Sequence, residues 1–138
     1  MIPWHEEPMV FVCPRSHPLA KKRIIAAADL ADERFVAFER NLPIRKAIDK
    51  ALRQRGAKVE AAMEFDNIET IKQAITIQSG VSILPRPSVS REIENGMVAA
   101  VPLDMPELVR PIGIIHRRQK LLTPITGKLI EFLQNVKR

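Results

Sequence analysis

Five consecutive apolar residues, Met9-Val10-Phe11-Val12-Cys13, stand between Pro8 and Pro14. A strand with one face in water alternates apolar and polar side chains, so an unbroken apolar run has to be covered on both faces. A chain carrying such a strand needs packing layers on either side of a sheet. Beyond Pro14, Ser16-His17-Pro18 reads as a polar turn, with the His17 imidazole hydrogen-bonded locally.

The segments that follow can supply those layers. Residues 27–31 give at most a helical turn, and 34–38 form a second short strand. Ile44, Ala47, Ile48, Ala51 and Leu52 fall on one helical face, and Gly56 can end that helix. Val59, Ala61, Met63 and Phe65 alternate as a strand does. Asp66 and Asn67 offer caps for a helix carrying Ile68, Ile71, Ala74, Ile75 and Gln78 on one side. Gly80 is expected to stop that helix, with 81–84 as the next strand. Pro85 and Pro87 force a turn into a short helix through Glu94, and Asn95-Gly96 closes it. Residues 97–101 and 111–116 read as strands around a proline-bracketed loop, 104–110. Thr123 followed by Pro124 starts a last helix, with Ile125, Leu129, Phe132, Leu133 and Val136 on one stripe. Strands alternating with helices predict an α/β sheet with helices on its faces. A length of 138 residues suits one domain.

The net charge is +6, from 22 basic and 16 acidic side chains. Two readings stand: attraction to an anion, or a well-solvated surface. The basic residues gather as Lys21-Lys22-Arg23, Arg117-Arg118 with Lys120, and Lys137-Arg138, without interleaved aromatics. No helix-turn-helix pattern is present, so direct nucleic-acid binding by this chain is not expected. No apolar run approaches the ~18–20 residues of a membrane span. Residues 1–7 lack a basic region followed by an apolar one, and the single cysteine, Cys13, has no internal partner. A reducing cytoplasm is the expected setting.

In open α/β sheets, ligands collect at the carboxyl ends of the strands. Three strand-to-helix junctions qualify: Phe38-Glu39-Arg40-Asn41-Leu42-Pro43, Asp66-Asn67-Ile68, and Leu84-Pro85-Arg86-Pro87-Ser88. Each turns helix N–H groups toward a crevice, and Arg40, Arg45 and Arg86 would add full charge. A small anionic metabolite is the ligand this chemistry suggests. Glu39 and Asp66 oppose it unless they are occupied as caps. Asn67 reads as a ligand contact or simply as a cap, and Arg40 and Arg86 as ligand contacts or as solvated surface. No nucleophile–base–orienter set can be assembled, so no catalytic residue is expected. His5, His17, His116 and Cys13 lack metal-ligand spacing, and no glycine-rich loop marks a nucleotide site. No metal or cofactor is expected.

Four segments in order, EPMVFVCPRSHPLA, ADLADERFVAFER, EFDNIETIKQAITIQSGVSILP and VRPIGIIHRRQKLLTPITGKLIEFL, resemble the effector-binding domain of LysR-type transcriptional regulators. The resemblance implies a type 2 periplasmic-binding-protein-like fold: two α/β subdomains joined by two crossover strands, with the effector between them. It implies that this chain holds mainly the second subdomain, residues 14–110, with a mixed, largely parallel sheet flanked by helices. Residues 9–13 and 111–116 would be the crossovers, and 123–137 a closing helix of the first subdomain. The family's DNA-binding domain and most of its first subdomain have no counterpart here. By resemblance, effector contacts fall at Phe38, Glu39, Arg40, Asn41, Asn67 and Ile68, at the hinge position Pro14, and at Ile115 and His116. An uncovered apolar stripe on the last helix further predicts a homodimer or higher oligomer. Two other readings remain: an oligomerising interaction protein that has lost sensing, and a fragment of a solute-binding protein.

Overall fold

The computed structural model describes residues 2–114, with side chains described for 6–111. The expected helix 123–137, Ile115 and His116 lie outside the described residues. Six strands and three α-helices follow in order: β1 (Ile2–Cys13), β2 (Phe35–Phe38), α1 (Pro43–Gln54), β3 (Ala61–Phe65), α2 (Ile68–Thr76), β4 (Ser82–Pro85), α3 (Ser90–Glu94), β5 (Ala99–Pro102) and β6 (Val109–Ile114). Short 3-10 turns at Pro18–Lys21, Ala27–Leu30 and Arg86–Val89 fill the connections.

The apolar run Met9–Cys13 lies at the centre of the sheet, buried throughout. It pairs antiparallel with β4 on one side (Phe11 opposite Ile83) and with β5 on the other (Phe11 opposite Val101). Beyond β4 the sheet turns parallel. A parallel bridge joins Phe35 to Val81, and β2 then pairs parallel with β3, Phe38 opposite Phe65. The sheet is mixed, as expected: β4, β5 and β6 each run antiparallel to β1 and therefore in one direction, the direction β2 and β3 share through the parallel bridge, so β1 alone is reversed. Ile48, Ala51 and Leu52 of α1 and Ile71, Ala74 and Ile75 of α2 are buried, as their spacing requires.

The part of β1 ahead of Met9 behaves differently. Its register pairs Ile2 with Ile114 and Pro8 with Val109, forming a two-stranded antiparallel ribbon with β6. Residues 9–13 pair within the sheet on both sides, and the antiparallel ribbon with β6 belongs to residues 2–8. The physical reason lies in the side chains. A run apolar on both faces demands neighbours and cover, whereas Glu6, ahead of it, is exposed. The strand expected at 111–116 likewise begins two residues earlier, at Val109, so Arg110 is a strand residue rather than a loop residue.

Gly80 does not stop α2, which ends at Thr76. It serves close packing instead. A Cβ there would stand 2.4 Å from the Arg34 carbonyl oxygen and 2.9 Å from Val36 Cγ2. That approach allows the paired bonds Val81 N–H to Arg34 O (2.9 Å) and Val36 N–H to Val81 O (2.8 Å), which join β4 to β2. His17 is the expected turn residue: its Nδ1 accepts from Leu19 N–H at 3.0 Å and its Nε2 lies 3.0 Å from Glu33 Oε1.

Candidate functional site

The carboxyl ends of β2 and β3 lie side by side, with Glu39 N–H bonded to Phe65 O at 2.9 Å. The helix that follows each strand therefore starts at the same place. Pro43 supplies the first turn of α1, where its missing N–H costs nothing. Asn67 caps α2: its Oδ1 accepts from Thr70 N–H at 2.8 Å and from Thr70 Oγ1 at 2.9 Å. Ile68 and Glu69 follow that cap as the first two residues of the helix. Between the two helix starts opens a cleft of about 710 Å³. Phe38, Leu42, Pro43, Ile44 and Ala47 form one wall, and Asp66, Asn67, Ile68 and Glu69 another. Met9, Leu108, Val109, Arg110 and Pro111 close the third side, at the root of the ribbon.

The expected site residues separate accordingly. Phe38, Asn67 and Ile68 line the cleft together. Glu39, Arg40 and Asn41 are exposed in the loop beside it and do not line it. Arg86 borders a different depression, of about 310 Å³, with Met9, Pro102, Met105 and Leu108. Pro14 is buried just past the end of β1, one residue beyond the Cys13–Ala99 rung, and does not line the cleft. Nothing is described of Ile115 and His116.

The arginines expected to charge the cleft are largely committed elsewhere. Arg45 has a side chain only 12% exposed. Its Nε bonds both oxygens of Asp49 at 3.0 and 2.9 Å, and its Nη1 bonds Phe38 O at 2.7 Å and Glu64 Oε2 at 2.6 Å. Burial works against the Arg45 charge, but the bonds to Glu64 and Asp49 hold its pKa above the ordinary value. The Arg45 guanidinium in turn keeps the Glu64 carboxyl below the ordinary range. Arg40 also turns to Glu64, Nε to Oε2 at 3.3 Å. Arg45 thus braces α1 against β2 and β3 instead of meeting a ligand.

Arg110 is the cleft cation that sequence reasoning missed. It is the only Lys or Arg side chain lining the cleft among the described residues. The residue looked like part of a loop because prolines flank it. Pairing it with the acids at 6–7 would have been the signal, since Glu7 and Arg110 face each other across the β1/β6 ladder.

Among the described residues that line the cleft there is no Ser, Thr, Cys or His. Cys13, the one cysteine, is fully buried, and burial together with the Glu33 charge pushes its thiol up to about 11. A neutral thiol in a packed strand is unreactive. Among the described residues no cluster of three or more His, Cys, Asp or Glu could hold a metal ion. No helix among them is long and apolar enough to cross a membrane.

An apolar, strand-end cleft beneath two helix starts and beside a two-stranded ribbon defines a ligand-binding module. The chain belongs to the LysR substrate binding domain family, whose model matches residues 1–138. Among curated relatives it is 30% identical over 128 residues to the RuBisCO operon transcriptional regulator of Allochromatium vinosum, covering 93% of this chain and 42% of that protein. Among solved structures it resembles the Synechocystis PCC6803 CcmR regulatory domain, solved in complex with 2-PG, at 27% identity and a TM-score of 0.84, covering 99% of this chain and 65% of that one. The effector binding domain of QuiR in complex with shikimate shares the fold at 20% identity and a TM-score of 0.79, over 97% of this chain and 63% of that one. The chain thus spans less than half the length of the curated relative and about two thirds of each solved domain.

Proposed function

We propose that this chain is the effector-sensing part of a LysR-type transcriptional regulator, working in the cytoplasm, and that its cleft takes a small oxyanion, a carboxylate or a phosphate. The observation that carries the reading is the convergence of the α1 and α2 starts and Arg110 on one cleft. The first-turn N–H groups of a helix have no intrahelical partners, and the helix dipole favours negative charge there. The apolar wall of Phe38, Leu42 and Ile44 would exclude water and fix the ligand's carbon frame. The complexes of CcmR with 2-PG and of QuiR with shikimate support a small effector at this fold.

In this reading residues 14–108, together with the sheet strand 9–13, form one subdomain, and the ribbon of residues 2–8 with β6 is the pair of crossovers that would lead to a second. The second subdomain would supply the rest of the effector contacts. Ligand bound only to the folded state stabilises it by mass action. Thermal unfolding of this chain is therefore expected to shift upward with 2-PG, shikimate or another member of a panel of small carboxylates and phosphates. At a concentration of about 100 times Kd the gain is about 2.7 kcal/mol. A flat response across the panel would refute sensing by this chain.

A further inference from the structure

We propose that Arg110 is the anion-receiving side chain of the cleft and that Glu7 holds it in reserve, so that a bound oxyanion and Glu7 compete for one guanidinium. The proposal rests on the reading of the cleft as an oxyanion site. Arg110 lines that cleft, while Arg40 and Arg45 are bound to Glu64, Asp49 and Phe38 O. Its ion-pair partner is Glu7, the residue directly opposite in the ladder, with Nε 3.8 Å from Oε1. That separation is too long for a hydrogen bond. A guanidinium fork matches a carboxylate or phosphate with two parallel short bonds, and Glu7 does not take that arrangement. The Arg110 side chain is 41% exposed and the Glu7 side chain 16%, so the cation is the partner that reaches solvent and ligand.

Asp66 and Glu69, the two acids lining the cleft, each have a local partner. Asp66 Oδ1 accepts from Asn67 Nδ2 at 3.1 Å, and Glu69 lies 3.0 Å from Lys72 Nζ. Glu7 is the acid that an incoming anion would displace from Arg110. The location gives the exchange a consequence. The Glu7–Arg110 rung is next to the Pro8–Val109 rung, where the ribbon meets the sheet. A ligand that draws Arg110 inward changes the side-chain pairing at the root of the ribbon.

The experiment is a 15N NMR titration of this chain with inorganic phosphate at constant ionic strength. It follows the Arg110 Nε resonance and the Ile44, Ile68 and Glu69 amides in the parent chain, Glu7→Gln and Arg110→Gln. The expected result is that Arg110 Nε moves together with the helix-start amides. Arg110→Gln is expected to weaken the apparent phosphate affinity by about tenfold, and Glu7→Gln to tighten it by roughly threefold. Movement of the amides without Arg110 Nε, or an unchanged affinity in Glu7→Gln, overturns the proposal and leaves the oxyanion reading standing. If neither the amides nor Arg110 Nε respond, both fall. Should Arg110→Gln fail to fold, the parent and Glu7→Gln titrations still decide.

Discussion

At the scale of single residues, Lys72 is the one buried charge among the described residues. Its Nζ lies 3.0 Å from Ser88 O, Glu69 Oε1 and Glu92 Oε2 alike, tying α2 to the turn and helix that follow β4. Burial pushes the Lys72 amine down, but its bonds to Glu69 and Glu92 hold it above the ordinary value. Burial likewise pushes the Glu92 carboxyl up, while the Lys72 bond and charge bring it below the ordinary 4.5. The second oxygen of Glu92 is buried without a partner, so the cluster depends on Lys72. Removing one member of an enclosed pair leaves the other desolvated and uncompensated. Lys72→Met is expected to reduce unfolding free energy near pH 7 by about 3 kcal/mol, read by urea titration. A depressed carboxyl contributes stability that is present above its unfolded value and lost as pH falls through its folded value. The parent chain should therefore lose stability from about pH 5 downward, and Lys72→Met should lose less over the same window. An equal deficit in the variant at both ends of that window would refute the ion-pair account.

At the scale of elements, the three described α-helices close the same way, but not with the same residue. After α1, Gly56 takes φ +70° and bonds Arg53 O, and Ala57 bonds Leu52 O. After α3, Gly96 takes φ +71°, with the matching bonds to Ile93 O and Glu92 O. Those are Schellman closures with glycine where the left-handed conformation requires it. After α2 the same bonds appear, Gln78 N–H to Ile75 O and Ser79 N–H to Ala74 O, but Gln78 holds φ +63°. An L side chain there costs roughly 1–2 kcal/mol. Gln78→Gly is therefore expected to stabilise the protein by about 1 kcal/mol. Gly80→Ala, two residues on, should destabilise by about 2–3 kcal/mol, because its Cβ meets the Arg34 carbonyl. Chemical denaturation of both variants checks the pair, and a stabilised Gly80→Ala would contradict the packing role. This reversal explains the misplaced end of α2. A glycine is visible in sequence, but whether it serves a cap or a close contact depends on a strand that arrives from 45 residues away. The ends of α1 and α3, and the Asn67 start of α2, were legible because their causes are local.

At the scale of the whole molecule, the same division between local and distant causes governs the candidate site. Phe38, Asn67 and Ile68 were legible because each sits at a strand end or helix start within its own segment. Met9, Leu108 and Arg110 were not, because only the β1/β6 pairing, joining residues about a hundred positions apart, carries them to the cleft. The commitment of Arg45 to Asp49 and Glu64 was hidden for a related reason, since Glu64 belongs to another strand. One further question at this scale concerns the apolar stripe written in residues 125–136. Ile125, Leu129, Phe132, Leu133 and Val136 repeat at helical spacing, and a stripe of that kind requires cover. Cover by a second copy would make the chain a dimer or larger in sedimentation at tens of micromolar. Leu129→Glu places a charge in the stripe and should shift the distribution to monomer, while the amide shifts of the sheet core around Phe11 and Ile83 stay in place. A monomeric parent chain, or a Leu129→Glu variant that still associates, would show that the stripe is covered within one chain or that another surface joins the copies. The phosphate titration then separates the two roles. If the cleft lies within one copy, Leu129→Glu should bind phosphate with unchanged affinity even as the oligomer dissociates. Coupled loss of binding and assembly would instead mean that a neighbouring copy completes the cleft.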